Sequence, residues 1–150
     1  GDHTKYLSSN PLRDYSSDEL GKFRIITDVF GGFSYTGNLS LFIEKILGAL
    51  EVNGSFYSLL QSVRLEDGKE DANTWWLTEI KDRAGQDVKV CSWLKSISCV
   101  KVTCESKGAW DTPTELIRVQ KDCNESSVPK VTRVQYEAGN PPGRVFQLAW

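Results

Sequence analysis

The residues best placed to do chemistry lie in one short segment, Asp28-Val29-Phe30-Gly31-Gly32, which runs on to Tyr35. It follows the apolar pair Ile25-Ile26, so it reads as the carboxyl end of a strand and the loop beyond it. In parallel sheets that end is where ligands bind. A carboxylate such as Asp28 can orient an acceptor amine or hydroxyl, or take a proton from it. The plainer reading makes Asp28 a strand-end carboxylate that accepts backbone N–H bonds. Tyr35 could pack against a ligand, although an ordinary half-buried aromatic is the favoured reading. Gly31-Gly32 lets the backbone turn sharply or come close to a ligand.

Other chemistries find little support. His3 is the only histidine and lies near an end of the chain, so a Ser–His or Cys–His pair has no second histidine to draw on. No phosphate-cradling loop of the Walker type occurs. Cys91, Cys99, Cys104 and Cys123 contain no Cys-x-x-Cys pair, which disfavours zinc, and no metal is expected. Cys99 and Cys104 fall in a strand-like run. The preferred reading is buried free thiols in a cytoplasmic protein, and a disulfide is the alternative that the spacing leaves open.

The elements that would position Asp28 can be read from periodicity. Residues 23–29 form a strand with both faces apolar, as in a sheet covered on both sides. Leu39, Phe42, Ile43, Ile46, Leu47 and Leu50 recur at the spacing of one helix face. Asn38 caps that helix, and Asn53-Gly54 ends it in the left-handed conformation. Residues 55–61 are the next strand. Residues 74–84 read as a second helix with Trp76, Leu77 and Ile80 inward; the sharper reading of Trp75 or Trp76 is the lining of an acceptor pocket. Residues 88–94 are ambiguous between strand and helix. Residues 96–105 and 114–122 read as strands joined in a hairpin, 128–137 as a further strand, and 145–150 as a last extended piece. The charged stretch 65–73 reads as an exposed loop.

At 150 residues the chain is expected to form one domain with a real core. A net charge of −2 gives no reason to expect nucleic-acid or anionic-membrane binding, both of which favour a basic patch. No apolar run approaches membrane-spanning length. The chain opens Gly1-Asp2-His3 and contains no Met, so Gly1 is not expected to be a translation start.

The order β-α-β-α followed by strands resembles the carboxyl-terminal half of a class I S-adenosylmethionine-dependent methyltransferase, over residues 22–122. Residues 23–29 resemble that family's fourth strand, and Asp28-Val29-Phe30-Gly31 the acidic segment after it. Residues 39–54 resemble its helix and Gly-containing turn into the fifth strand, and 96–105 with 114–122 its closing hairpin. The resemblance implies an α/β fold: a mixed, mostly parallel sheet flanked by helices, closed by an antiparallel hairpin. It implies that Asp28, Val29, Phe30 and Gly31 border the cofactor S-adenosylmethionine, with Asp28 and Tyr35 at the methyl-transfer site. It also adds weight to the catalytic reading of Asp28 beside the plainer one. Gly1-Asp2 resembles the pair after the family's third strand, where Asp2 would contact the adenine. The family's glycine-rich loop is absent. Asn140-Pro141-Pro142-Gly143 has Gly where amino-methylating members have an aromatic, and reads as a turn.

Two functions follow. The first is a methyltransferase-like domain acting on an unknown small-molecule methyl acceptor, as a fragment inactive alone because the glycine loop is missing. The second is a non-enzymatic α/β module that binds a partner. Its exposed sheet edge would invite a homodimer.

Overall fold

The computed structural model describes residues 22–29, 31–60, 78–107, 114–137 and 143–149. Among them the order is β1 (Phe23–Val29), α1 (Gly32–Tyr35), α2 (Leu39–Ala49), β2 (Leu50–Leu60), β3 (Thr78–Lys81) and β4 (Asp87–Val88). Then follow α3 (Val90–Lys95), β5 (Val100–Lys107), β6 (Thr114–Lys121), β7 (Val131–Glu137) and β8 (Gly143–Leu148). The strands form two four-stranded sheets, ordered β1-β2-β6-β5 and β4-β3-β8-β7. Each sheet has one parallel pair, β1 with β2 and β3 with β8; every other pair is antiparallel.

The expected α/β fold is therefore corrected. One βαβ unit is present, since β1 and β2 are parallel with α1 and α2 between them. It does not extend into a helix-flanked, mostly parallel sheet. The decisive segment is 74–84, expected as a helix. Residues 78–81 are strand β3, with Thr78 and Ile80 buried and Glu79 and Lys81 half-buried. Period-2 burial and the parallel partner β8 outweigh the helical spacing of the apolar residues before it. Trp75 and Trp76, and the loop expected at 65–73, lie outside the described residues.

Helix α2 forms as its stripe predicts. Leu39, Phe42, Ile43, Ile46 and Leu47 are buried, each such side chain contributing about 1.5–3 kcal/mol by leaving water. Asn38 caps the start, its side-chain oxygen accepting the Leu41 N–H at 3.2 Å. The stop is not the expected one. The chain turns extended at Leu50, directly after the helix. Two lysines satisfy the carbonyls left over there. Lys121 Nζ donates to Leu47 O at 2.8 Å and Leu50 O at 2.9 Å, and Lys22 Nζ to Gly48 O.

Asn53-Gly54 instead shapes a bulge inside β2. Phe23 pairs with Leu50 and Ile25 with Ser55, so Arg24 alone faces residues 51–54. Asn53 takes φ 72°, a left-handed conformation that Asn tolerates. Strand β1 also departs from expectation, because only one face is covered. Ile25 is 58% and Val29 63% exposed, while Ile26 packs against the core.

The core joins α2 and α3, the latter through Trp93, to residues from both sheets, among them Phe56, Ile80, Ile117 and Phe146. Phe33, Phe42 and Phe56 meet ring to ring at its centre. Residues 88–94, ambiguous in the sequence, divide between the end of β4 and helix α3. The β5–β6 hairpin forms as expected, although β5 begins only at Val100.

All four cysteines are paired. Cys91 on α3 bridges to Cys104 on β5, and Cys99 before β5 bridges to Cys123 after β6. This replaces the free-thiol reading. The topology sets the pairing, since α3 packs on β5 and the antiparallel β5–β6 pair brings the flanks of the hairpin together. No helix among the described residues is long and apolar enough to cross a membrane.

Candidate functional site

Asp28 lies at the carboxyl end of β1, where the loop to α1 begins. Its side chain turns toward the neighbouring strand and the start of the helix. Ser58 on β2, its register partner, donates its hydroxyl to Asp28 Oδ2 at 3.2 Å. The Phe33 N–H donates to the same oxygen at 3.4 Å, and the backbone of Gly32 and Gly31 also bonds to the carboxyl group. These are the orphan donors at the start of α1, which Asp28 satisfies as a carboxylate satisfies any helix N-terminus. Burial pushes the Asp28 carboxyl above the usual carboxylate range. The Ser58 hydroxyl and the Phe33, Gly32 and Gly31 amides pull it back only in part.

Gly31 is needed for this approach. A Cβ built there would fall 2.4 Å from Asp28 Oδ1. At Gly32 a Cβ would fall 2.6 Å from the Phe42 ring. The glycine pair thus lets the loop close onto Asp28 and onto the core, which is the close approach its sequence promised. What it approaches is the protein's own carboxylate.

The opposite end of α1 is held by Arg144 of β8. Arg144 is buried at 2% exposure. Its Nη1 donates to Thr36 O and its Nη2 to Phe33 O at 2.8 Å, with a further bond from Nη2 to the Thr78 hydroxyl. The guanidinium lies 5.3 Å from the Phe146 ring centroid. Its Nε has no partner among the described residues. Burial lowers its pKa to about 10, with Arg133 adding to the fall; Asp28 and Tyr136 favour the charged form. Arg133 itself stacks over the Tyr136 ring at 4.8 Å, on β7.

The sequence-based candidates are thus only partly brought together. Asp28 and Gly31 meet at the start of α1. Val29, expected near a cofactor, is exposed on the other face of β1. Tyr35 sits in the last turn of α1 and is 46% exposed. Asp2 and Phe30 lie outside the described residues.

Arg144, Ser58 and Thr78 were not picked out from sequence. The signal existed for Arg144. In Gly143 to Leu148 the residues Arg144, Phe146 and Leu148 share one strand face, and that face is buried. Lys121 repeats the pattern behind Ile117 and Val119. A cation in register with core residues marks a buried charge.

As chemistry, most of the cluster's bonding serves the fold; Arg144 Nε and the Ser34 hydroxyl are the buried polar atoms left without a partner among the described residues of α1 and its two clamps. The Asp28 carboxyl accepts from the start of α1 and from Ser58 of β2, and the Arg144 terminal nitrogens donate to the end of α1 and to Thr78 of β3. Elsewhere Cys91, Cys104 and Glu115 bring three potential metal-ligand atoms within 4.8 Å of one another. The two sulfurs are joined in a disulfide, so neither is the thiolate that a metal needs.

No protein-family model, no curated protein and no solved structure matches this chain.

Proposed function

We propose that this chain is a non-enzymatic, disulfide-stapled module of mostly β structure that binds a partner and works in an oxidising compartment rather than in the cytoplasm. The observation that carries the reading is the pairing of all four cysteines in two bridges. Structural disulfides persist where the surroundings are oxidising, and they are rare in cytosolic proteins.

The geometry favours binding over methyl transfer. The methyl-transfer reading rested on a mostly parallel sheet and on a free Asp28 beside S-adenosylmethionine. Here the sheets are largely antiparallel and Asp28 bonds to the start of α1 and to Ser58 of β2. A binding role needs exposed contact residues, and β7, the edge strand of its sheet among the described residues, carries them. Val134 and Tyr136 stand in solvent there, with Arg133 stacked on the tyrosine. A register shift between Arg133 and Gln135 interrupts the edge. That shift works against a second copy simply continuing the sheet, so the support lies in the side chains of β7 and not in its backbone edge.

Calorimetric titration with S-adenosylmethionine and S-adenosylhomocysteine, beside a thiol count on the natural gene product, tests the reading. We expect no saturable heat and no free thiol. Saturable cofactor binding would return the protein to the enzymes, and four reactive thiols would return it to the cytoplasm.

A further inference from the structure

The described residues contain three asparagines, Asn38, Asn53 and Asn124, and all three are exposed. Each opens the pattern Asn-x-Ser with x other than proline: Asn38-Leu39-Ser40, Asn53-Gly54-Ser55 and Asn124-Glu125-Ser126. The pattern is the acceptor for N-linked glycan transfer in the secretory pathway, and it marks a surface site when the chain travels that way. In a cytosolic protein it carries no meaning. The two disulfides change its weight, because they argue for the compartment in which the pattern is read.

The three sites differ in what the fold does with them. The Asn38 side chain caps α2, and the Ser40 hydroxyl is buried against the Val131 backbone. Asn53 sits on the β2 bulge, with Gly54 and Ser55 buried beside it. Asn124 is the least encumbered. It stands in the irregular segment between β6 and β7, one residue past Cys123, and neither a helix nor a strand ladder claims it. Glu125 is exposed as well. The backbone is held on both sides, by the Cys99–Cys123 bridge and by the mutual bonding of Ser98 and Ser127. That leaves a short anchored segment presenting Asn124 outward, with room for a bulky polar group.

We propose that Asn124 carries an N-linked glycan, an inference that rests on the oxidising-compartment reading. The donor is an oligosaccharide joined to a polyisoprenyl lipid through pyrophosphate. The Asn124 Nδ2 forms a bond to C1 of the first sugar, and the bond from C1 to the pyrophosphate oxygen breaks. Its electron pair leaves with the lipid pyrophosphate, and the amide nitrogen gives up one proton. The glycan would cover the end of the β5–β6 hairpin and leave β7 free for a partner.

One digest separates the outcomes. The full-length gene product, purified from its own cells, is cut with trypsin without reduction. Lys95, Lys101, Lys121 and Lys130 place the cuts so that residues 96–101 and 122–130 emerge as two peptides, each with one cysteine. We expect them joined by the Cys99–Cys123 bridge and heavier by a hexose and N-acetylhexosamine mass. Glycan-releasing amidase in heavy-oxygen water should remove that mass and convert the asparagine to labelled aspartate. Both Asn124→Gln and Ser126→Ala should abolish it. A linked pair with bare Asn124 overturns the glycan and leaves the compartment reading standing. Separate peptides with alkylatable cysteines overturn both.

Discussion

Asp28 and Arg144 hold the two ends of one helix. Asp28 accepts N–H bonds at the start of α1, and Arg144 donates to Phe33 O and Thr36 O at its end. The acid meets the positive end of the helix dipole and the base the negative end. A helix of four residues has little stability of its own. These two side chains, brought from β1 and β8, replace the missing length, and Phe33 between them is fully buried.

Arg144→Met should cost about 3 kcal/mol of unfolding free energy, read from the urea midpoint. The change strands the acceptors of Phe33, Thr36 and Thr78 in a buried setting, which costs more than the bonds themselves gave. Arg144→Lys should recover only part of the loss, because a single ammonium cannot reproduce the planar fork that reaches all three.

Asp28→Asn should make the protein less sensitive to rising pH. Burial raises the Asp28 carboxyl above its ordinary value near 3.8. The folded state therefore keeps its proton after the unfolded chain has lost it. The contribution to stability is fully present below the unfolded value and is lost as pH rises through the folded one. Urea titrations of wild type and variant at stepwise pH check this. The stability of the variant relative to wild type should climb from about pH 4 upward, then level off. A flat difference would show that Asp28 titrates normally.

Removing the Cys99–Cys123 bridge by paired Cys→Ala changes should lower stability by about 3 kcal/mol, the loop-closure value for a span of this size. The bridge joins residues 24 positions apart. Thermal unfolding of the variant, beside reduced wild type, measures it.

Gly54→Ala should destabilise by about 1–3 kcal/mol. A Cβ there would lie 2.8 Å from Glu51 O and 3.0 Å from both Arg24 O and Phe23 O. These are backbone oxygens that no rotamer change can move. Asn53→Ala should cost less, because it alters only the preference for a left-handed conformation at an exposed residue. Chemical denaturation ranks the two.

The sequence by itself determined what depends on local order. The α2 stripe, its Asn38 cap, the β1 strand and the β5–β6 hairpin were all legible, because each is set by neighbours a few residues away. The candidate segment from Asp28 to Gly31 was also found, and so was the plainer of the two roles read for Asp28, a strand-end carboxylate accepting backbone N–H bonds; what no local pattern gave was the choice between the two. Whether a strand-end carboxylate faces a ligand or a helix start depends on how the following loop closes, and Phe33 and Ser58 decide that.

Only the tertiary structure settled the rest. Residues 78–81 became a strand because β8, distant in sequence, offers a parallel partner. The cysteines paired because the hairpin and α3 bring them within bonding reach. Arg144 and Lys121 became helix caps because their strands place a cation beside carbonyls left unsatisfied on other elements. In each case the partner is remote along the chain, and no local pattern names it.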